Sequence, residues 1–527
     1  MIIQDGSIGR IEVKTVPLPE GFALNDGTYT ASGRVLVNGR YASDPDEKDY
    51  YRVFTLNDDG TDICEIYAGV IPQKPTANGV RWMCFADNRR ILLGDYVIEC
   101  EPDLDHCEKA DLVPLVYPEE IEKQEGVFAH WSEIIISPDC AHMCWTLLRM
   151  TGSTCYLGKL VRGAQNYYLE DIRIVSSIAS HIPDPDRPGY SIPLPSRGGE
   201  VKQFVRGGRA ISEAGKGKSI TDGLIQYLDS EEVTQVTDTP GYEETSMLSP
   251  DETLAVVMSP RFSTKTNCAV FGLLPHPNSM AIGYIMNVLY MYAIDGVRKF
   301  RPGNVGPALI EVDKSMKEGR KYIGVNLSDP EDEWVYYSPI SWAPDSTKAM
   351  WNEGTRPSQG EIKHRLQIAL LLDKAPAAPV PDAGTPAGSE IPYAVPIETP
   401  VTQTQYPIKV AGKYAGELVD TVSFADGIST AASMYTNYSD DGKTFIDGGF
   451  TISTPLNMFT GGKTVYEGKM TVHGEHNGEM DLRAVFDRPT PGAPSMLIFD
   501  AGEDGLPQSR GYAAYDGQTL RIEDMEP

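Results

Sequence analysis

The 527-residue chain is short of positive charge: 46 lysines and arginines stand against 74 aspartates and glutamates, a formal net charge of −28 with histidine neutral. A protein that grips phosphate needs a basic face that displaces counterions, so the balance argues against nucleic acid and anionic membrane as partners. Histidine and cysteine are scarce too, at eight each. Cys64, Cys84, Cys100, Cys107, Cys140, Cys144, Cys155 and Cys268 include no Cys-x-x-Cys pair. That argues against a zinc knuckle, a dithiol redox motif and a disulfide-dense scaffold, and leaves reduced core thiols as the expectation. No apolar run of leader or transmembrane length occurs near the start, where Asp5, Arg10, Glu12 and Lys14 interrupt the pattern. As given, the chain reads as soluble and cytoplasmic; a mature exported form is the open alternative. A Gly-x-Ser-x-Gly elbow and a dinucleotide fingerprint are absent, and Gly215-Lys216-Gly217-Lys218 lacks the strand-to-helix setting of a phosphate loop.

What the chain does have is a recurring phrase. Ser137-Pro138-Asp139, Ser249-Pro250-Asp251 and Ala343-Pro344-Asp345 each lie between short β-like runs. An arginine follows the proline by 11, 11 and 12 residues, at Arg149, Arg261 and Arg356. Strand, Asp/Gly turn and strand are read in Tyr51 to Ile66, Leu224 to Asp238 and Leu289 to Phe300. With Phe85-Ala86-Asp87 as a degenerate copy, steps of 52, 112 and 94 residues separate Ala86, Pro138, Pro250 and Pro344. The first step is one blade and the other two are read as pairs. Six blades then fill about 78 to 374, and 27 to 69 supplies another. The expectation is an all-β fold, a seven-bladed β-propeller closed by a strand from Ile8 to Val16.

Two stretches break the rhythm, His181 to Arg197 and Phe262 to Gly283. Both are too long for hairpins, and insertions of this length are usually functional. From Lys374 to Pro407 proline, alanine and glycine dominate, which reads as an extended linker. Beyond it, alternating runs broken by Gly and Asp, with a hairpin signal at His476-Asn477-Gly478, predict a small antiparallel β-barrel or sandwich, lipocalin-like in general shape among the alternatives. The expected layout is a propeller over 1–373, a linker over 374–407 and a β domain over 408–527.

The stretch from Asp238 through Tyr242-Glu243-Glu244 to Ser249-Pro250-Asp251 resembles the repeat of TolB-type propellers, a group that includes the propellers of oligogalacturonate lyases. The likeness covers about residues 30 to 374 and speaks to fold rather than activity. The lyase branch would imply a histidine-rich manganese site and β-elimination on an acidic sugar. In this chain the repeat position eight residues before the proline holds His130, Tyr242 and Tyr336 in turn.

In a propeller, the start of each inner strand shares a face with the loop after the second strand. His130, Trp131, Tyr242, Glu243, Glu244, Tyr336 and Tyr337 should therefore share a mouth with Arg149, Arg261 and Arg356. Guanidiniums converging there would bind a small anion through forked hydrogen bonds. The expected catalytic groups are His130 or Glu243 as base and Tyr242 or Tyr336 as proton donor. Glu244, Tyr337 and Trp131 would contact substrate, whereas Trp145 and Trp351 belong to the blade core. His130, His181 and His276 have the donors a divalent ion such as manganese or calcium needs, though without diagnostic spacing. The reading is a lyase or hydrolase for a small anionic, carbohydrate-like or plant-derived compound. A non-catalytic ligand-binding or protein-interaction propeller, or an apolar ligand within the C-terminal β domain, are the alternatives. Oligomeric state is left open.

Overall fold

The computed structural model describes residues 1–72, 82–124, 127–149, 152–216, 220–263, 265–328, 334–357, 360–402, 404–456 and 461–525, with the backbone alone at 128–131. Among the described residues six antiparallel blades of four strands follow one another, the second and third joined by a short parallel pairing of their outer strands and the sixth carrying an extra outer strand, Ile2–Asp5. Their first strands are Phe22–Tyr29, Trp82–Cys84, Val127–Ile136, Glu200–Val205, Ser246–Leu248 and Trp334–Trp342. Each first strand touches the next, and that of blade six returns to that of blade one, so the sheets form a closed ring. Gly9–Thr15 pairs with His364–Leu371 and supplies the fourth strand of blade six, as expected from Ile8 to Val16.

The expected seventh blade is corrected. The 94-residue step from Pro250 to Pro344 is one blade, because a long excursion separates its second strand, Leu254–Val257, from its third, Ala308–Glu311. The phrase read there as a hairpin is helical, running through Ile282–Leu289, a π turn at Tyr290–Ile294 and Asp295–Lys299. Ile282, Ile285, Val288, Leu289, Tyr292 and Val297 are buried, the spacing of a helix face rather than the alternation of a strand. Asp295-Gly296, a turn signal in a strand reading, lies inside this helix, where a Cβ on Gly296 would meet the Arg301 side chain at 2.8 Å.

The repeated phrase builds one kind of turn. The residue after its Asp position adopts a positive φ at Asn88, Cys140, Glu252 and Ser346, at 56°, 59°, 56° and 62°. The Ser249 hydroxyl receives Leu254 N at 3.1 Å, while Asp251 caps the turn from Thr253 N at 3.3 Å. Ser137 repeats this with His142 N at 2.9 Å. These turns join first to second strands, and so lie on the face opposite the predicted mouth.

The proline-rich segment has little regular structure, as expected, but it is bonded to that face. Ala377 N reaches Asp345 O at 2.9 Å, Val380 N reaches Pro250 O at 2.8 Å, and Ala383 N reaches Gly207 O at 2.9 Å. The chain thus runs back across blades six, five and four. It then climbs the rim, where Val395–Pro396 pairs with the outer strand of blade three, and Thr402 N reaches Ile178 O at 2.7 Å on the mouth face.

There an eight-strand antiparallel meander runs from Ile408–Ala411 to Gln518–Arg521, with a ninth short strand at its margin. Among the described residues no ladder joins those two ends, so the sheet is open; barrel closure, one of the expected alternatives, is not seen. Inward residues alternate along it: Tyr466, Met470 and Val472 on one strand, Met480, Leu482, Ala484 and Phe486 on the next. This face packs on the blade-five excursion. Phe271 meets Tyr466 edge-on at 5.1 Å and Phe486 at 5.8 Å, and Tyr292 meets Phe486 at 5.6 Å. One apolar cluster spans both, so the sheet shares its core with the propeller. Cys268–Phe271 lies against one end of the meander, and the His181–Pro183/Ser191–Pro193 hairpin lies against the other. Among the described residues, no helix is long and apolar enough to cross a membrane.

Candidate functional site

The three repeat arginines do not meet. Arg261 Nη2 pairs with Glu243 Oε1 at 2.5 Å, with side-chain exposures of 5% and 1%, and Nη1 reaches Ile323 O at 3.1 Å. Arg149 donates to Gln124 and, at 3.3 Å, to the Tyr156 hydroxyl within its own blade. Arg356 donates to Val297 O at 3.1 Å and Gly303 O at 2.7 Å, pinning the excursion. Each guanidinium is held by protein groups. Trp145 and Trp351 are fully buried, as a core role requires. His130 and Trp131 stand on the first strand of blade three, but their side chains lie outside the described residues.

A different set of charges gathers on the inner strands. Glu200 and Lys202 are two apart on the first strand of blade four and so share a face. Glu133 projects from blade three, and Glu244 precedes the first strand of blade five. The Lys202 ammonium lies 2.9 Å from Glu200, 3.3 Å from Glu133 and 3.7 Å from Glu244. Lys202 is 3% exposed, yet the three carboxylate side chains keep 15%, 18% and 18% of their surface. Groups this deep that retain such surface border a space water can enter.

Burial works against ionisation of Glu200, Lys202 and Glu244, and the neighbours decide the outcome. Burial alone would discharge Lys202, but Glu200, Glu133 and Glu244 hold it protonated well above the ordinary lysine range. For Glu200, burial is outweighed by the Lys202 charge and hydrogen bond, and its pKa falls. For Glu244 burial wins, aided by the charge of Glu200, and the carboxyl is pushed up to about 7. Glu200 and Glu244 thus titrate as a coupled pair in which Glu244 holds a proton more readily than Glu200.

Arg298, from the helical excursion, faces the same region. Its guanidinium lies over the Tyr337 ring at 5.3 Å, and Nη2 meets Met258 Sδ at 3.2 Å. Nε is buried without a hydrogen-bond partner, and among the described residues no carboxylate lies within ion-pair distance. Burial opposes its charge, but Tyr290, Glu244, Tyr336 and Tyr337 raise its pKa, which places all four within electrostatic reach. Tyr242 stands 6.0 Å from Tyr290, ring to ring, and burial lifts its phenol well above the ordinary range. The structure thus gathers Tyr242, Glu244, Tyr336 and Tyr337 from the sequence-derived set, diverts Glu243 to Arg261, and adds Glu133, Glu200, Lys202, Tyr290 and Arg298.

The additions carry weak signals. Glu200 and Lys202 sit in a blade whose turn is Arg206-Gly207-Gly208 rather than the repeated phrase, and Arg298 lies in a segment that reads as strand. Chemically, the cluster holds a transferable proton and a guanidinium able to receive an anion. A metal ion would have to displace Lys202, whose ammonium occupies the place between the carboxylates, and among the described residues no group of three or more His, Cys, Asp or Glu side chains is arranged to hold one. His276 is 2% exposed and packs edge-on to Phe450 at 5.1 Å, while His181 lies in the short hairpin. A groove of about 220 Å³ lined by Asp171, Arg173, Pro396 and Glu398 lies on the outer rim of blade three.

No family model matches the chain, and no curated protein matches it. Among solved structures it is similar to TolB from Acinetobacter baumannii, at 10% identity and a TM-score of 0.28, covering 68% of this chain and 65% of that one. It is similar to hydrazine synthase of Kuenenia stuttgartiensis, at 8% identity and a TM-score of 0.31, covering 64% and 94%. It is also similar to a puromycin-hydrolyzing peptidase of Mycobacterium tuberculosis, at 9% identity and a TM-score of 0.30, covering 80% and 60%. At these values the matches carry no inference about activity. The fold rests on the chain's own ladders: among the described residues, a ring of six blades, built on the turn by which the sequence resembles TolB-type propellers.

Proposed function

We propose that the chain acts on a small anionic molecule at the axial mouth, as a hydrolase or lyase using acid–base chemistry, with Arg298 binding the anion and Glu244 handling the proton. The supporting observation is a guanidinium that, among the described residues, has no carboxylate partner, beside a carboxyl raised to about 7 by burial. Arg298 thus takes the part that the repeat spacing suggests for Arg149, Arg261 and Arg356. Neutralising a substrate carboxylate acidifies the adjacent C–H, which elimination requires, and a protonated Glu244 can serve a leaving group in either reaction. Acidic sugars and aromatic acids are the compounds to try first.

Binding a negative charge beside Glu244 favours its protonated form, so affinity should be high below about pH 7 and fall above it, approaching 10-fold per pH unit for one linked proton. Calorimetric titration of acidic sugars and aromatic acids from pH 6 to pH 8.5, with product analysis, tests this. Arg298→Met should weaken binding by about 10- to 100-fold, the range of a lost charge-assisted hydrogen bond. Unchanged affinity in that variant, or a pH-independent constant, rejects the site. Binding without turnover would favour the non-catalytic reading, which the mutual pairing of Lys202 with its carboxylates supports.

A further inference from the structure

The axial mouth has two unlike walls. In one, Lys202 lies beneath its carboxylates: its side chain is almost wholly buried, while those of Glu133, Glu200 and Glu244 keep accessible surface. The surface this cluster offers to a ligand therefore consists of oxygen acceptors, with the cation behind them. One ammonium has three N–H bonds to give and each carboxylate has about four acceptor sites, so Lys202 leaves most of them open. The acceptors farthest from it belong to Glu133 and Glu244, at 3.3 and 3.7 Å, against 2.9 Å for Glu200. The other wall is Arg298, whose guanidinium carries donors only. Both walls rest on one residue: Met258 O accepts Glu244 N at 3.4 Å, and Met258 Sδ lies 3.2 Å from Arg298 Nη2. The half-buried rings of Tyr337 and Tyr290 flank them, Tyr337 under the guanidinium at 5.3 Å and Tyr290 at 6.0 Å from Tyr242, two residues before Glu244.

A simple anion answers the guanidinium and is repelled by the carboxylates beside it. Resting on the anion-binding part given to Arg298 above, we infer that the ligand is a small zwitterion of amino-acid type, its carboxylate on Arg298 and its ammonium on Glu133 and Glu244. An ammonium brings three donors to the acceptor wall, and a carboxylate brings acceptors to the donor wall, so each charge leaves water for a partner of opposite sign. The two charges of such a molecule are a few bonds apart, which suits walls that both touch Met258. Tyrosine faces beside the ammonium add cation–π attraction.

The probes are matched pairs that differ only in the amino group: 3-phenylpropanoate and phenylalanine, succinate and aspartate, acetate and glycine. Calorimetric titration of the full-length protein at pH 7.5 should find the amino member of at least one pair about 10- to 100-fold tighter than its acid, the range of an added charge-assisted hydrogen bond. N-acetylation of that member, which keeps its bulk and removes the positive charge, should return its affinity to that of the acid. Glu133→Gln should do the same to the amino member and leave its acid no weaker, while Arg298→Met should weaken both. Amino members that bind no tighter than their acids, or that keep their advantage after N-acetylation, overturn this inference and leave the anion reading standing. If 2-phenylethylamine binds as tightly as phenylalanine and Arg298→Met has no effect, the anion reading falls and this inference with it. Absence of binding by every pair also overturns the inference, and the titration of acidic sugars then decides the anion reading by itself. The N-acetyl comparison needs no variant, so a Glu133→Gln chain that fails to fold leaves the test intact.

Discussion

Blades three and five start from nearly the same text and end differently. Both carry Ser-Pro-Asp, a left-handed residue after it, and an arginine 11 residues beyond the proline. In blade three the third strand follows the second almost directly, Arg149 pairing with Gly152, and the guanidinium bonds within its blade. In blade five the chain leaves after Val257, builds a helix and returns at Ala308, and Arg261 closes on Glu243 and on the backbone of Ile323. The same local phrase thus makes the same turn in both, while the connection between second and third strands decides whether a blade is closed or carries a platform for another sheet.

Mutations can break this comparison, beginning with the largest effect. Phe271→Ala removes an aromatic side chain wedged between Tyr466 and Phe486, and should destabilise by about 3–5 kcal/mol in denaturant unfolding. A loss under ~1 kcal/mol would mean that the sheet does not depend on the excursion. Next, Arg261→Met leaves the Glu243 carboxylate buried without its cation and should cost about 3 kcal/mol or more. Arg149→Met removes bonds to neutral partners and should cost about 1 kcal/mol. Equal losses would erase the distinction drawn between the two blades. The smallest effect sharpens the likeness: Ser137→Ala and Ser249→Ala each remove a hydroxyl that receives a turn amide, and should lose about 1 kcal/mol apiece. A large difference between these two would show that the turns are not equivalent.

Much of the ring was legible because its signals are local. Pro, Asp and a left-handed position specify the turn within a few residues, and alternation specifies the strands around it. The blade number was misread because a buried helix containing Asp295-Gly296 imitates a strand, a turn and a strand when only short apolar runs are compared. The candidate site was legible in part: Tyr242, Glu244, Tyr336 and Tyr337 could be placed at one mouth by counting back from the repeat proline. Lys202 and Arg298 could not, since nothing in their own neighbourhoods marks them; their chemistry comes from burial and from partners on other blades.

By itself the sequence determined the class of fold, the turn repeated from blade to blade, the strand that closes the ring and the extended character of the proline-rich segment. All of these arise from backbone preferences and periodicity within about ten residues. Tertiary structure alone decided which charges are spent on holding the protein together and which are left open, and that the C-terminal sheet closes over the excursion. Those outcomes depend on which groups meet across long chain separations in a medium that screens charge poorly, and no local pattern records such meetings.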